Sequence, residues 1–221
     1  MTQSSSVQSQ PPLQLGEHGS APSLSYSTPV WLITAVWFTT VMWLAIQGTF
    51  DAPAGEAPIA MIAAAGVPPV LFWIAYLAIP SLNRWVLSQD LAELTAMQAW
   101  RIIGAAFLFA WGVNVLPPIF ALPAGIGDIL VGVAAPVAAL AVARASSNAS
   151  KAAWGIVIAG MTDFIIVVSI GIGAREGMLL HLDGHLSTMA MGQAPFVLFP
   201  VFLVPAFIIL HIMAIAKLLN Q

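Results

Sequence analysis

Residues 152–172 read AAWGIVIAGMTDFIIVVSIGI, and this stretch decides the class of the fold. It carries a single formal charge, Asp163. A helix rises about 1.5 Å per residue, so about 20 residues cross a hydrocarbon core roughly 30 Å thick. Five further stretches have the same character. Together the six place spans at about residues 29–48, 58–80, 98–118, 124–143, 152–172 and 196–219. Across the 221 residues, 60% are hydrophobic and 7% charged, too few charges to keep a soluble chain of this length dispersed. The expected fold is all-α: a polytopic integral membrane bundle of six transmembrane helices, several of them kinked by proline.

Outside the spans the chain offers little. Residues 1–28, rich in Ser, Gln and Pro and free of Lys and Arg, read as a disordered tail that cannot bury enough apolar surface to offset its ordering entropy. Residues 29–221 then form one membrane domain. The chain has no cysteine, which excludes disulfides, thiolate catalysis and cysteine-ligated metal centres. A net charge of −3 and the absence of any basic run give no footprint for nucleic acid. The expected partners are the lipid bilayer and other membrane proteins or further copies of this chain.

Loop charges predict the orientation. With the N-terminus inside, Arg84, Arg101, Arg144, Lys151 and Lys217 fall on the inner side and Arg175 alone on the outer. This bias puts both termini in the cytoplasm of a plasma (inner) membrane protein. Trp31, Trp85, Trp100 and Trp154 fall near the same inner ends. Between spans two and three, Leu87, Leu91 and Leu94 repeat at helical spacing and Asp90-Leu-Ala-Glu93 resembles a capping box. The segment 88–99 reads as a short amphipathic helix on the cytoplasmic surface, or as a solvated extension of span three. Small residues four apart (Ala134/Ala138, Gly155/Ala159, Ser169/Gly173) predict close packing of spans four and five.

Polar groups inside a membrane are costly and mark candidate sites. Ordered by depth, Asn114 and Asp128 fall in the outer half, Asp163 near the centre of span five, His211 somewhat below the centre of span six, and Gln98 and Arg101 at the inner end of span three. Facing a common interior, Asn114, Asp128, Asp163, His211 and Arg101 would form a broken polar trail for a proton or ion. Each also has a plainer reading. Asp128, following PAGIG, would cap the first turn of span four; Asn114 would join helices; His211 would bond a neighbour; Arg101 would snorkel to the cytoplasmic interface. Asp163 resists such a reading, since a lone carboxylate at mid-membrane must be protonated, paired or hydrated.

Gly66-Val67-Pro68-Pro69 in span two, Pro136 in span four and Pro200 and Pro205 in span six remove helix donors, and transporters use such breaks to bind ions and solutes. The run GVNVLPPIFALPAGIGD (112–128) reads as a tight outer hairpin. The longest connection, about 173–195, carries His181, Asp183 and His185, whose two imidazoles and carboxylate could ligate zinc or copper. Asp183-Gly184 is a turn signal, however, and a plain polar loop is the simpler reading. The loop either lies in the interface or folds back over the bundle.

No HExxH, GxSxG or paired-carboxylate motif is present, so an enzyme is not expected, and no cofactor is predicted. The leading reading is a small transporter or channel for a proton, ion or small solute, with its path between spans three to six and Asp163 as the coupling group. The alternative is a non-catalytic membrane subunit or assembly factor. A membrane redox, haem or metal protein is more remote, because His211 is the sole histidine within a span.

Overall fold

The structure is a computed structural model that describes residues 28–182 and 184–220. The proposed tail, apart from Thr28, and Asp183 lie outside the described residues. Among the described residues the chain is all-helical, with no strand and six helices long and apolar enough to cross a membrane. These are α1 (Thr28–Ile46), α2 (Ile59–Ala78), the composite span Leu91–Gly112, α6 (Pro118–Ala143), α7 (Ala149–Gly173) and the composite span Phe199–Leu219. By length and composition this is a membrane protein, and its lipid-length helices expose large apolar side chains such as Ile33, Leu77 and Val137.

The third span differs from its sequence reading. α3 (Pro80–Ser88) follows α2, and α4 (Leu91–Ala96) then opens the span itself. Asp90 caps α4 by accepting a hydrogen bond from the Ala92 amide at 2.6 Å. Leu91, Leu94 and Thr95 are buried, and α4 packs against α6 and α8. The segment is thus neither a surface helix nor a solvated extension. Its leucines are the first turn of a span that starts seven residues earlier than the polar residues Gln89, Asp90 and Glu93 implied.

From Met97 to Gly104 the chain tightens into a 3-10 helix before α5 (Ala105–Gly112). Residues three apart eclipse one another in that geometry. Gln98, Arg101 and Gly104 accordingly share one buried face.

α6 contacts α4, the 3-10 segment, α5 and α7. Pro118 occupies its first turn, where a missing N–H costs nothing. The helix therefore begins six residues before the expected 124, and Asp128 lies in its third turn. Its packing face runs through Ala121, Gly125, Asp128, Gly132, Ala135 and Ala139, a spacing of alternately four and three. A Cβ on Gly132 would stand 2.8 Å from the Ile102 amide nitrogen, so the two backbones touch there.

The glycines that pack helix against helix are not those that fourfold spacing indicated, since Gly173 packs closely on Leu180 of the following loop, where a Cβ would stand 2.8 Å from it. Gly155 and Ala159 are exposed, and a Cβ at Gly155 would meet nothing within 4 Å. Gly104, Gly125, Gly127, Gly132 and Gly160 fill that role instead.

The last span opens with a π turn, Phe199–Leu203, in which the Val204 amide donates to the Phe199 carbonyl. α8 (Val204–Leu219) follows, with Pro205 in its first turn. α2, by contrast, remains helical through Pro68 and Pro69.

The long connection after α7 folds back over the bundle. Arg175 donates from Nη2 to the Ala52 carbonyl at 2.8 Å, and the Gly55 amide donates to the Glu176 carbonyl at 2.8 Å. Thr188 donates to the Gly171 carbonyl at 2.6 Å. Gly177 has φ +75°, and a Cβ there would stand 2.8 Å from the Gly55 nitrogen, so the loop after α7 meets the loop after α1.

Candidate functional site

Arg101 is the centre of the molecule's polar chemistry, and its side chain is 0% exposed. Its Nε donates to Asp128 Oδ1 at 2.8 Å, its Nη2 donates to Asp163 Oδ2, and its Nη1 donates to the Gly160 carbonyl at 3.2 Å. The guanidinium carbon lies 3.9 Å from the centroid of the Phe164 ring. One cation is thus held by two carboxylates, a helix carbonyl and an aromatic face, and every guanidinium nitrogen has an acceptor. Arg101 does not snorkel. It lies ten residues into a span of 22, and its carboxylate partners are Asp128 of α6 and Asp163 of α7.

Glycines make this approach possible. A Cβ on Gly104 would overlap the Asp128 side chain, and one on Gly127 would overlap Asp163 Oδ1. A Cβ on Gly160 would overlap His211 Nε2 and stand 2.7 Å from Arg101 Nη1. His211 and Arg101 therefore flank the same notch in α7. Gln98 and His211 are each 1% exposed, and neither the Gln98 amide nor His211 Nε2 has a protein partner among the described residues. The Phe164 ring touches both sides, edge-on to the His211 ring at 6.2 Å between centroids.

The sequence-predicted residues separate into two groups. Arg101, Asp128, Asp163 and His211 converge at one depth, as a compact cluster rather than as a trail across the bilayer. Asp128 bonds the Arg101 side chain and does not cap α6, which has no side-chain cap. Asn114 does not join them: it is exposed in the turn after α5, with φ 59°. It joins no neighbouring helix and lies apart from the cluster. His181 and His185 lie in the loop after α7, where His181 Nε2 is 3.1 Å from the His185 carbonyl oxygen. Asp183, the carboxylate between them, is outside the described residues, and no group of three metal-binding side chains occurs among the described ones.

A cleft of about 730 Å³, counting its open part, runs along α7 to this cluster. Asp128 and Asp163 form its floor, and their side chains keep 15% and 14% exposure. Met61, Ile62, Val167 and Phe199 line its walls, and Pro58, Arg175 and Thr188, all three buried, line its loop end. Arg101 contributes nothing to the lining and backs the carboxylates from behind. Each carboxylate keeps one oxygen that Arg101 does not bond. At the loop end, Arg175 is 2% exposed and its Nε finds no protein acceptor among the described residues. Burial lowers the affinity of its guanidinium for the proton, and the charge of Asp51 offsets part of that effect.

The sequence signals for this site were incomplete. The role of Gly104, Gly127 and Gly160 depends on the 3-10 geometry of one span and the early start of another. The partners of Arg101 could be found only once those registers were known.

Residues 57–219 match a family model described as Domain of unknown function (DUF8737). The chain belongs to this family. The match takes in α2 to α8 and every residue of the charged cluster, while α1 precedes it. No curated protein and no solved structure matches the chain at a significant level.

Proposed function

We propose that the protein is a small membrane carrier or channel for a proton, cation or small solute, with Asp163 and Asp128 as its coupling groups. The observation that carries this reading is the cluster's charge and its access. Arg101 contributes one positive charge and the two carboxylates two negative ones, so with both ionised the cluster is left at −1. The missing positive charge is what a proton or a cation supplies, and both carboxylates border the cleft while Arg101 does not. A purely structural ion pair needs neither the second carboxylate nor the access.

In this reading both termini are cytoplasmic and the cleft opens to the outside. Four cations remain on the inner side without Arg101 (Arg84, Arg144, Lys151 and Lys217) against Arg175 on the outer, so the positive-inside bias persists. His211 flanks Gly160 together with Arg101, and neither His211 nor Gln98 lines the cleft. They are the polar groups suited to continue the path inward.

Thermal unfolding of the protein in lipid nanodiscs, across pH and a panel of monovalent and divalent cations, tests the reading. A group or ligand that distinguishes folded from unfolded protein makes stability depend on its concentration. We expect the wild-type melting temperature to move with pH or with one cation, and Asp163→Asn to remove that movement. A wild type indifferent to every condition would instead favour a subunit or assembly role.

A further inference from the structure

We propose that the cleft binds an elongated, largely apolar molecule with a protonated amine at one end and a carboxylate or other strong hydrogen-bond acceptor at the other. The amine sits on the free oxygens of Asp128 and Asp163, and the acceptor on Arg175. This assigns a substrate class to the carrier proposed above and rests on that reading for its transport role, but not for binding.

Three observations converge on it. The cleft is polar only at its two ends, with carboxylates at the floor and Arg175 and Thr188 at the loop end, and its walls are formed by aliphatic, methionine and aromatic side chains. At the floor, the carboxylates outnumber the single guanidinium, and Arg101 leaves one oxygen of each unbonded. At the loop end, Arg175 is buried with an Nε–H that lacks an acceptor; its Nη2 bonds the Ala52 carbonyl, and the charge of Asp51 acts on it without an ion pair within 4 Å among the described residues. Burying a guanidinium with an unmet donor is costly, and a ligand acceptor would satisfy it.

The two ends also fix a length. From Asp163 to the end of α7 at Gly173 is ten residues, or roughly 15 Å at the helical rise. A simple inorganic ion cannot touch both ends, and a chain of about a dozen carbons can. A fatty acid matches the Arg175 end but would drive its apolar end against the two carboxylates, which opposes binding in that direction. A simple alkylamine satisfies the floor alone.

The test uses the full chain in lipid nanodiscs, with melting temperature read from tryptophan emission during titration with ω-aminododecanoate, dodecylamine and dodecanoate. We expect ω-aminododecanoate to stabilise the protein most, dodecylamine less, and dodecanoate no more than it does a nanodisc protein of unrelated sequence. Arg175→Gln should weaken ω-aminododecanoate about tenfold and leave dodecylamine unchanged. Asp163→Asn should weaken both. Should Asp163→Asn prove poorly folded, Ala65→Phe fills the cleft wall without touching the cluster, and it should abolish binding of both amines. Stabilisation by dodecanoate equal to that by ω-aminododecanoate would overturn the proposal, and so would amine binding that survives Ala65→Phe. Ion flux without probe binding refutes this inference and leaves the carrier reading standing. Probe binding without flux upholds the inference and refutes the carrier reading.

Discussion

Arg101 is held by four groups from two neighbouring helices, and removing it strands two carboxylates in the bilayer core. Breaking a buried pair by deleting one partner costs about 3–5 kcal/mol, whereas replacing the whole set with neutral groups of similar shape is far milder. Arg101→Met should therefore lower stability by about that amount, and adding Asp128→Asn and Asp163→Asn should restore most of it, as read by chemical unfolding in detergent micelles. Additive losses in the triple variant would mean that the three residues do not act as a unit. The glycines offer a second check at the same scale. Gly160→Ala forces a methyl into the space of His211 and Arg101 and should cost about 1–3 kcal/mol. Gly155→Ala, five residues earlier and facing open space, should fall within about 0.5 kcal/mol of wild type. The sequence alone ranks these two the other way, because Gly155 has a small partner at four-residue spacing and Gly160 does not.

At the scale of elements, the third span carries most of the argument. Its first turn is α4, and Leu94 within it is 0% exposed. Leu94→Ala should cost about 2–5 kcal/mol, the range for emptying a buried leucine site, measured as a loss of unfolding free energy. A surface amphipathic helix would lose well under half of that. Hydropathy placed the six spans correctly because lipid-length apolar runs leave few alternatives. It misjudged where the third and fourth spans begin, for two physical reasons. Gln89, Asp90 and Glu93 precede and interrupt the apolar pattern of α4, although Asp90 is the helix cap that its capping-box pattern marked. Pro123 lies inside α6 and looks like a terminus, although the true first-turn proline is Pro118. Those two shifts move Arg101 and Asp128 from span ends to span middles. A trail of polar groups at graded depths thereby becomes a single cluster. Arg101, Asp128, Asp163 and His211 were thus legible as candidates, and their mutual contacts were not.

At the scale of the whole molecule, the cleft runs along α7 from the charged cluster to the loop that carries Arg175, and the proposed orientation gives that path a direction. With both termini cytoplasmic, a reporter active only in the cytoplasm should work when fused in the Ser146–Asn148 loop and fail at Gly184. The reverse pattern would turn the Arg175 end of the cleft inward. The central claim is that the Asp163 and Asp128 carboxylates carry charge across the membrane. The most direct measurement is ion flux into liposomes containing the purified protein, with an internal pH dye and a potassium diffusion potential imposed by valinomycin, repeated with monovalent cation gradients. The account predicts flux above that of empty liposomes for the wild type, lost in an Asp163→Asn variant that is shown to be folded and incorporated. Wild-type liposomes that leak no faster than empty ones for protons or any cation, or an Asp163→Asn variant with undiminished flux, would contradict it.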